Sequence, residues 1–255
     1  MMVFGSAKGS PGVTTAVLAL AARWPTHREP FVVEADPTGG DIVARLASLE
    51  GDVGGLRDTP STVQLAAASR HGLGPTLLLE HAQRLPGIGE VRALLSPASA
   101  FASTTALGEL VNADIGGHLA AMVSHDVLVD VGTVHPASAA LKVIRSTRWL
   151  NIVARPSLES ILHTRELVSA LGAMGVRCGV IVIGDRPYSP FDVAEAAGAE
   201  LVGSLPFDSV GAAALSGEAR NPKILGRSRL VRAATELAVV LASSSLDSPR
   251  VGATP

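Results

Sequence analysis

Residues 8 to 15 read Lys-Gly-Ser-Pro-Gly-Val-Thr-Thr and lie between a short apolar run, 1–4, and a stretch of helical composition, 14–23. A strand, a glycine-bearing turn and an immediate helix start make a cradle for phosphate. Main-chain N–H groups converge on the anion, and the positive end of the helix dipole faces it. Gly9 and Gly12 are the permissive positions, with Ser10 and Pro11 between them. Thr14 and Thr15 fall in the first helical turn, where a hydroxyl commonly meets a magnesium ion. The general phosphate-loop pattern is Gly, four residues, then Gly-Lys-Thr. Here Ala7 takes the first glycine place and Val13 the lysine place. On this stretch alone, a tight strand-to-helix turn without a ligand fits as well as a phosphate loop. Two aspartates extend the chemistry. Asp36 in "EADPTGGD" and Asp130 in "DVLVDVG" each close an apolar run, which puts them at the carboxyl ends of expected parallel strands, the edge where open α/β sheets bind ligands. Turn formation or helix capping is the competing role for both. Glu34 alternates to the opposite side from its strand neighbours, so structural pairing and chemistry both stay open for it.

These residues need a scaffold that delivers them to one edge. Strands are expected at "MMVF", "FVVEA", "VRALL", "DVLVDV", "WLNIVA", "CGVIVI" and "ELVGSL", with helices over 14–23, 61–71, 99–111, 137–146, 157–173, 189–197 and 228–243. Strands alternating with helices predict right-handed βαβ units: a doubly wound, mainly parallel α/β sheet with helices on both faces. A single domain is expected over 1–243, with 244–255 as a disordered tail and 51–60 as a mobile surface segment.

Composition agrees with that class. The chain has 255 residues, 47% of them hydrophobic but only 3% aromatic, so its core is built from Ala, Val, Leu and Ile, as in strands covered on both faces. The formal charge of -2 gives no global attraction to nucleic acid or anionic lipid. Cys178 is the only cysteine, so no intramolecular disulfide forms and a reducing interior is expected. The start "MMVFGSAKGS" lacks the pattern of a signal peptide, and apolar runs such as "AVLALAA" are too short for a bilayer. A cytoplasmic protein without membrane insertion is the expectation. The seven histidines form no metal-binding pattern, no Gly-x-Ser-x-Gly elbow occurs, and "GSAKGSPG" is not a dinucleotide fingerprint.

With Lys8 included, the loop resembles the deviant Walker A motif Lys-Gly-Gly-x-Gly-Lys-Thr-Thr of the ParA/MinD family of dimeric P-loop ATPases. Lys8, Gly9, Gly12, Thr14 and Thr15 match, Ser10 replaces a glycine, and Val13 is the mismatch. "FVVEADPTGGDI" is similar to the family's second strand and switch segment, "DVLVDVG" to its Walker B strand, and "ELVGSLPFD" to its late strand and Pro-x-Asp turn. The similarity spans Met1 to roughly Leu241 and is weakest over 51–125. It implies the P-loop NTPase fold and binding of ATP or ADP with magnesium by residues 8–15, with Asp185 and Pro206 near the base. It implies magnesium ligation through Thr14, Asp36 and Asp130, and catalytic roles for Asp36 and for Lys8, which would reach across a homodimer. Helix 157–173 would then lie near the dimer side. Arg155, after "WLNIVA", would meet a phosphate or a partner carboxylate.

Two departures follow. Val13 removes the cation that contacts the β- and γ-phosphates, which implies a degenerate, CpaE/TadZ-like member with weak or absent hydrolysis. The strand ending at Ile183 continues with Gly184 and Asp185 where the family often has asparagine, so Asp185 either accepts from a base amine or is a solvated loop residue. The resemblance leaves several functions open. One is a nucleotide-binding pseudo-ATPase that positions a partitioning system or a Tad/Flp-type pilus or secretion machine. Others are an ATPase in which Lys8 replaces the missing lysine, and an interaction module whose dimer needs no nucleotide. Arg220, Lys223, Arg227, Arg229 and Arg232, with no acid between them, are either a salt-dependent site for non-specific DNA or a solvated helix face.

Overall fold

A computed structural model describes residues 1–25, 28–46, 56–135, 137–216 and 226–247. The chain runs β1 (Met2–Ser6), α1 (Val13–Ala21), β2 (Glu29–Glu34), α2 (Ile42–Leu46), α3 (Thr62–Ala68) and α4 (Pro75–Glu80). It continues through β3 (Gln83–Arg84), β4 (Arg92–Leu94), α5 (Ala100–Asn112), α6 (Ile115–Ala120), β5 (His125–Thr133) and α7 (Ala140–Thr147). The last part is β6 (Trp149–Ala154), α8 (Leu158–Ala173), β7 (Arg177–Ile183), α9 (Pro190–Ala197), β8 (Glu200–Leu205), α10 (Ser209–Leu215) and α11 (Arg229–Asp247).

The strands join in one sheet of order β3-β4-β2-β5-β1-β6-β7-β8. Every pairing is parallel except that of β3 with β4 at the edge. Successive residues of a strand face opposite sides, and here both sides are apolar. Val3, Phe31, Val33, Val127, Val129 and Val131 enter one core, packed under α5 to α9. Met2, Phe4, Val32, Leu128, Val153 and Ile181 enter the other, under α1 and α11. Phe4, Phe31 and Leu94 have no exposed surface, and each such side chain contributes roughly 1.5–3 kcal/mol by leaving water.

All seven expected strands are present. β3, a two-residue antiparallel strand, was not among them. The last helix starts at Arg229 and runs to Asp247, so 244–247 extend that helix and are not part of a disordered tail. Residues 248–255 and 51–55 lie outside the described residues, as do the expectations placed on them.

The topology fixes where a ligand can sit. From β1 the chain crosses to β2 on one side, and from β6 it crosses to β7 on the other. β1 and β6 are neighbours, so their outgoing connections diverge and open a crevice at their carboxyl ends, a topological switch point. Residues 7–12 leave β1, and Arg155 leaves β6, at the rim of that crevice.

Candidate functional site

The loop between β1 and α1 is held open by backbone geometry. Gly12 caps α1 in the left-handed region, at φ 110°, and no side chain caps the helix. Ser157, Ser189 and Asp208 do carry out that role for α8, α9 and α10. The first-turn amides of α1 are thus left for an outside acceptor. A Cβ built on Gly9 or Gly12 would meet nothing within 4 Å, so the turn is not collapsed onto its surroundings. The far side of the loop is tied down. Thr133 donates its hydroxyl to the Gly9 carbonyl at 3.3 Å, and the Val134 amide donates to the Ser6 carbonyl at 2.9 Å. Lys8 stands exposed at the loop's outer edge. Val13 is buried, its side chain packed into the core beneath the loop.

Glu34 is structural. Its Oε1 accepts from the Asp41 and Ile42 amides at 2.8 and 2.9 Å, and its Oε2 accepts from the Ser96 amide at 3.1 Å. One buried carboxylate therefore staples the segment after β2 to the end of β4. Burial pushes the Glu34 pKa up to about 7, against the pull of those amides.

Asp36 and Asp130 are brought together. β2 and β5 are parallel neighbours, with Glu34 opposite Asp130. The Asp36 carboxylate lies against Gly132, where any Cβ would collide with it. Gly132 has φ 60°, so both its conformation and its space call for glycine. Asp36 Oδ1 is also held by the Thr38 amide and hydroxyl, at 2.8 and 2.7 Å. Asp130 accepts from the Gly132 amide at 2.9 Å and from the Thr14 hydroxyl. Burial raises both pKa values, that of Asp130 to about 6, and repulsion from Asp36 adds to the rise at Asp130. Among the described residues no group of three or more His, Cys, Asp and Glu side chains is placed to hold a metal. The hydroxyl and carboxylate oxygens present instead suit magnesium, which uses one or two protein oxygens, water and a ligand's phosphates.

A cleft of about 360 Å³ opens beside the loop. Ser10, Gly12 and Thr15 form its floor, and Ile183, Pro206 and Phe207 form an apolar wall. Arg45 and Arg155 enter from opposite sides. Arg45 donates to the Thr15 hydroxyl at 3.2 Å and pairs with Asp41 at 3.2 Å. Arg155 donates to the Ser10 carbonyl at 3.5 Å, and its guanidinium lies 5.9 Å from the centre of the Phe207 ring. Asp208 also lines the cleft, but its oxygens are engaged. They accept from the Gly211 and Leu230 amides and the Ser228 hydroxyl, at 2.9, 3.1 and 2.9 Å.

Of the residues the sequence singled out, the structure gathers 8–15, Asp36, Asp130, Pro206 and Arg155 around this crevice. Asp185 stands exposed past the end of β7 and is not part of the cleft wall, where Ile183 is. Arg227, Arg229 and Arg232 are exposed at the start of α11. Arg220 and Lys223 lie outside the described residues. Sequence reasoning missed Arg45. Its spacing of four from Asp41 was the available signal, but that pairing marks any exposed helix and does not point to a ligand. No described helix is long and apolar enough to cross a membrane.

No family model matches this chain, and no curated protein matches its sequence. Solved structures do match in three dimensions. A ParA family ATPase from Chlorobium tepidum superposes with a TM-score of 0.69 at 19% identity, over 93% of this chain and 97% of that one. The septum site-determining protein MinD from Pyrococcus horikoshii, complexed with Mg-ADP, gives 0.68 at 17% identity, over 96% and 97%. A chain of the MinC:MinD cell division protein complex of Aquifex aeolicus gives 0.67 at 15% identity, over 99% of each chain. Near-complete coverage in both directions means that the whole architecture is shared: this chain has the fold of the ParA/MinD P-loop ATPases.

Proposed function

We propose that the chain is a degenerate ParA/MinD-type protein that binds ATP or ADP with magnesium in the β1/β6 crevice. In that reading it uses the bound nucleotide to position or regulate a larger assembly. One observation carries the reading. The phosphate loop is open and uncapped, with Thr14, Asp130 and Asp36 assembled beside it, although Val13 has replaced the lysine. Magnesium, when bound, would neutralise phosphate charge, and Thr14, Asp130 and Asp36 are the residues to hold it. The loop amides would bind the phosphates, and Pro206 would border the base.

Hydrolysis is a different matter. Phosphoryl transfer depends almost wholly on positioning and electrostatics, and Val13 brings no cation. Lys8, exposed on the loop, is the residue that could restore one across a homodimer. The neighbours of known structure act in partition and cell division by their descriptions. By analogy the assembly here is a partitioning system or a pilus or secretion machine. Equilibrium titration of the purified protein with ATP and ADP plus magnesium, run beside a phosphate-release assay, tests the reading. Binding of either nucleotide with little or no phosphate release is expected. Failure of both to bind would remove it.

The exposed Arg227, Arg229 and Arg232 support a second activity, non-specific DNA binding. It should weaken steeply as salt rises. Binding that ignores salt, or survives charge reversal at Arg227 and Arg229, would exclude it.

A further inference from the structure

We propose that Arg45 and Arg155 form a guanidinium clamp that grips the phosphates of a nucleoside polyphosphate in the cleft, taking over from the missing loop lysine. The inference rests on the nucleotide-binding reading above but assigns the affinity to two side chains that the loop motif does not contain.

A lysine at position 13 would enter the phosphate site from beneath the loop, and the Val13 side chain is turned into the core there. The positive charge has to come from elsewhere, and within one copy of the chain the cleft supplies two sources. Arg45 belongs to α2, on the β2 side of the loop, and reaches the first turn of α1 at the Thr15 hydroxyl. Arg155 follows β6, on the other side, and reaches the loop at the Ser10 carbonyl. Both line the same cleft, so an anion seated on the loop amides lies between them.

The charge balance of the cleft favours an anion. Its lining carries two arginines and one carboxylate, Asp208, and that carboxylate is bound by two amides and a hydroxyl. Arg45 is also paired with Asp41, an exposed residue just before α2. A guanidinium has five donors in a planar fork, so Arg45 can keep Asp41 and still present N–H groups to a phosphate. Arginine is the side chain best matched to bidentate phosphate contact. The remaining wall of Ile183, Pro206, Phe207 and Leu230 is apolar and suits the base of a nucleotide better than a second anion. Arg155 over the Phe207 ring joins the two halves of the cleft.

The test is calorimetric titration of the full chain with Mg-ATP and, separately, with inorganic tripolyphosphate. Wild type, Arg45→Ala, Arg155→Ala and the two lysine replacements are compared. Thermal melts show that each variant is folded, and Arg155, being exposed, can be removed without touching the core. Loss of a charged hydrogen bond predicts a roughly ten- to hundredfold weaker Kd for each alanine variant. The lysine variants should fall between, because charge is kept and the fork is lost. Wild-type binding of Mg-ATP that both alanine variants leave within twofold would overturn the clamp and leave the nucleotide reading intact. Arginine-dependent binding of tripolyphosphate without binding of ATP would uphold the clamp and overturn the nucleotide reading. Wild type that binds neither probe would overturn both.

Discussion

Val13 and Glu34 show how far residue identity alone can carry function. Val13 is legible at once, because one position in a spaced motif either holds a lysine or does not. Glu34 is not legible, because its partners depend on register. Ser96 is far away in sequence and becomes a neighbour only when β4 aligns beside β2. Arg45 was hidden for the same reason, since its contact with Thr15 crosses two elements. Three amides on one buried carboxylate give a direct prediction. Glu34→Gln replaces an acceptor with a donor facing N–H groups and should destabilise the protein by roughly 1–3 kcal/mol. Urea unfolding would show it as a lower midpoint. An unchanged midpoint would mean that the segment after β2 does not depend on this staple.

At the level of elements, the parallel strands were readable because each is a short run apolar on both faces, and such a run has few other ways to be buried. β3 was not, since Gln83 and Arg84 are polar and the strand exists only as an edge against β4. α6 was missed because "IGGHLA" has poor helical propensity. Its Asp114 cap, which accepts from the Gly117 amide at 3.2 Å, and its packing establish it. The α10–α11 junction has a similar device in Asp208, which caps α10 and holds the start of α11. Burial opposes its ionisation, but hydrogen bonds from Gly211, Leu230, Ser228 and Arg229 outweigh that and lower its pKa. A folded-state pKa below the unfolded one stabilises the fold above the usual carboxylate range, and the gain is lost as pH falls through the folded value. Asp208→Ala should therefore cost about 1–2 kcal/mol at pH 7 and progressively less as the solution is acidified below pH 4. Thermal melts across that range test this. An equal loss at pH 7 and at pH 2 would contradict it.

The whole molecule adds what neither residues nor elements contain. Strand order was not written in the sequence, and it is the order that puts β1 beside β6 and opens the crevice between diverging connections. The same order sets Asp36 against Gly132 and brings Arg45 and Arg155 to opposite sides of one loop. The exposed Lys8 belongs to this scale, because its proposed role needs a second copy of the chain. Light scattering should show the mass doubling when Mg-ATP is added, and Lys8→Ala should reduce that shift. A dimer of the same mass with and without nucleotide would favour an interaction module instead. The nucleotide-binding proposal requires that main-chain amides of the loop hold phosphate although the lysine is gone. Hydrogen–deuterium exchange with and without saturating Mg-ADP tests this most directly. Slowed exchange is expected in peptides covering 8–15, with smaller protection over 36–45. Unchanged exchange in 8–15 while nucleotide is demonstrably bound would place the ligand elsewhere and contradict the claim.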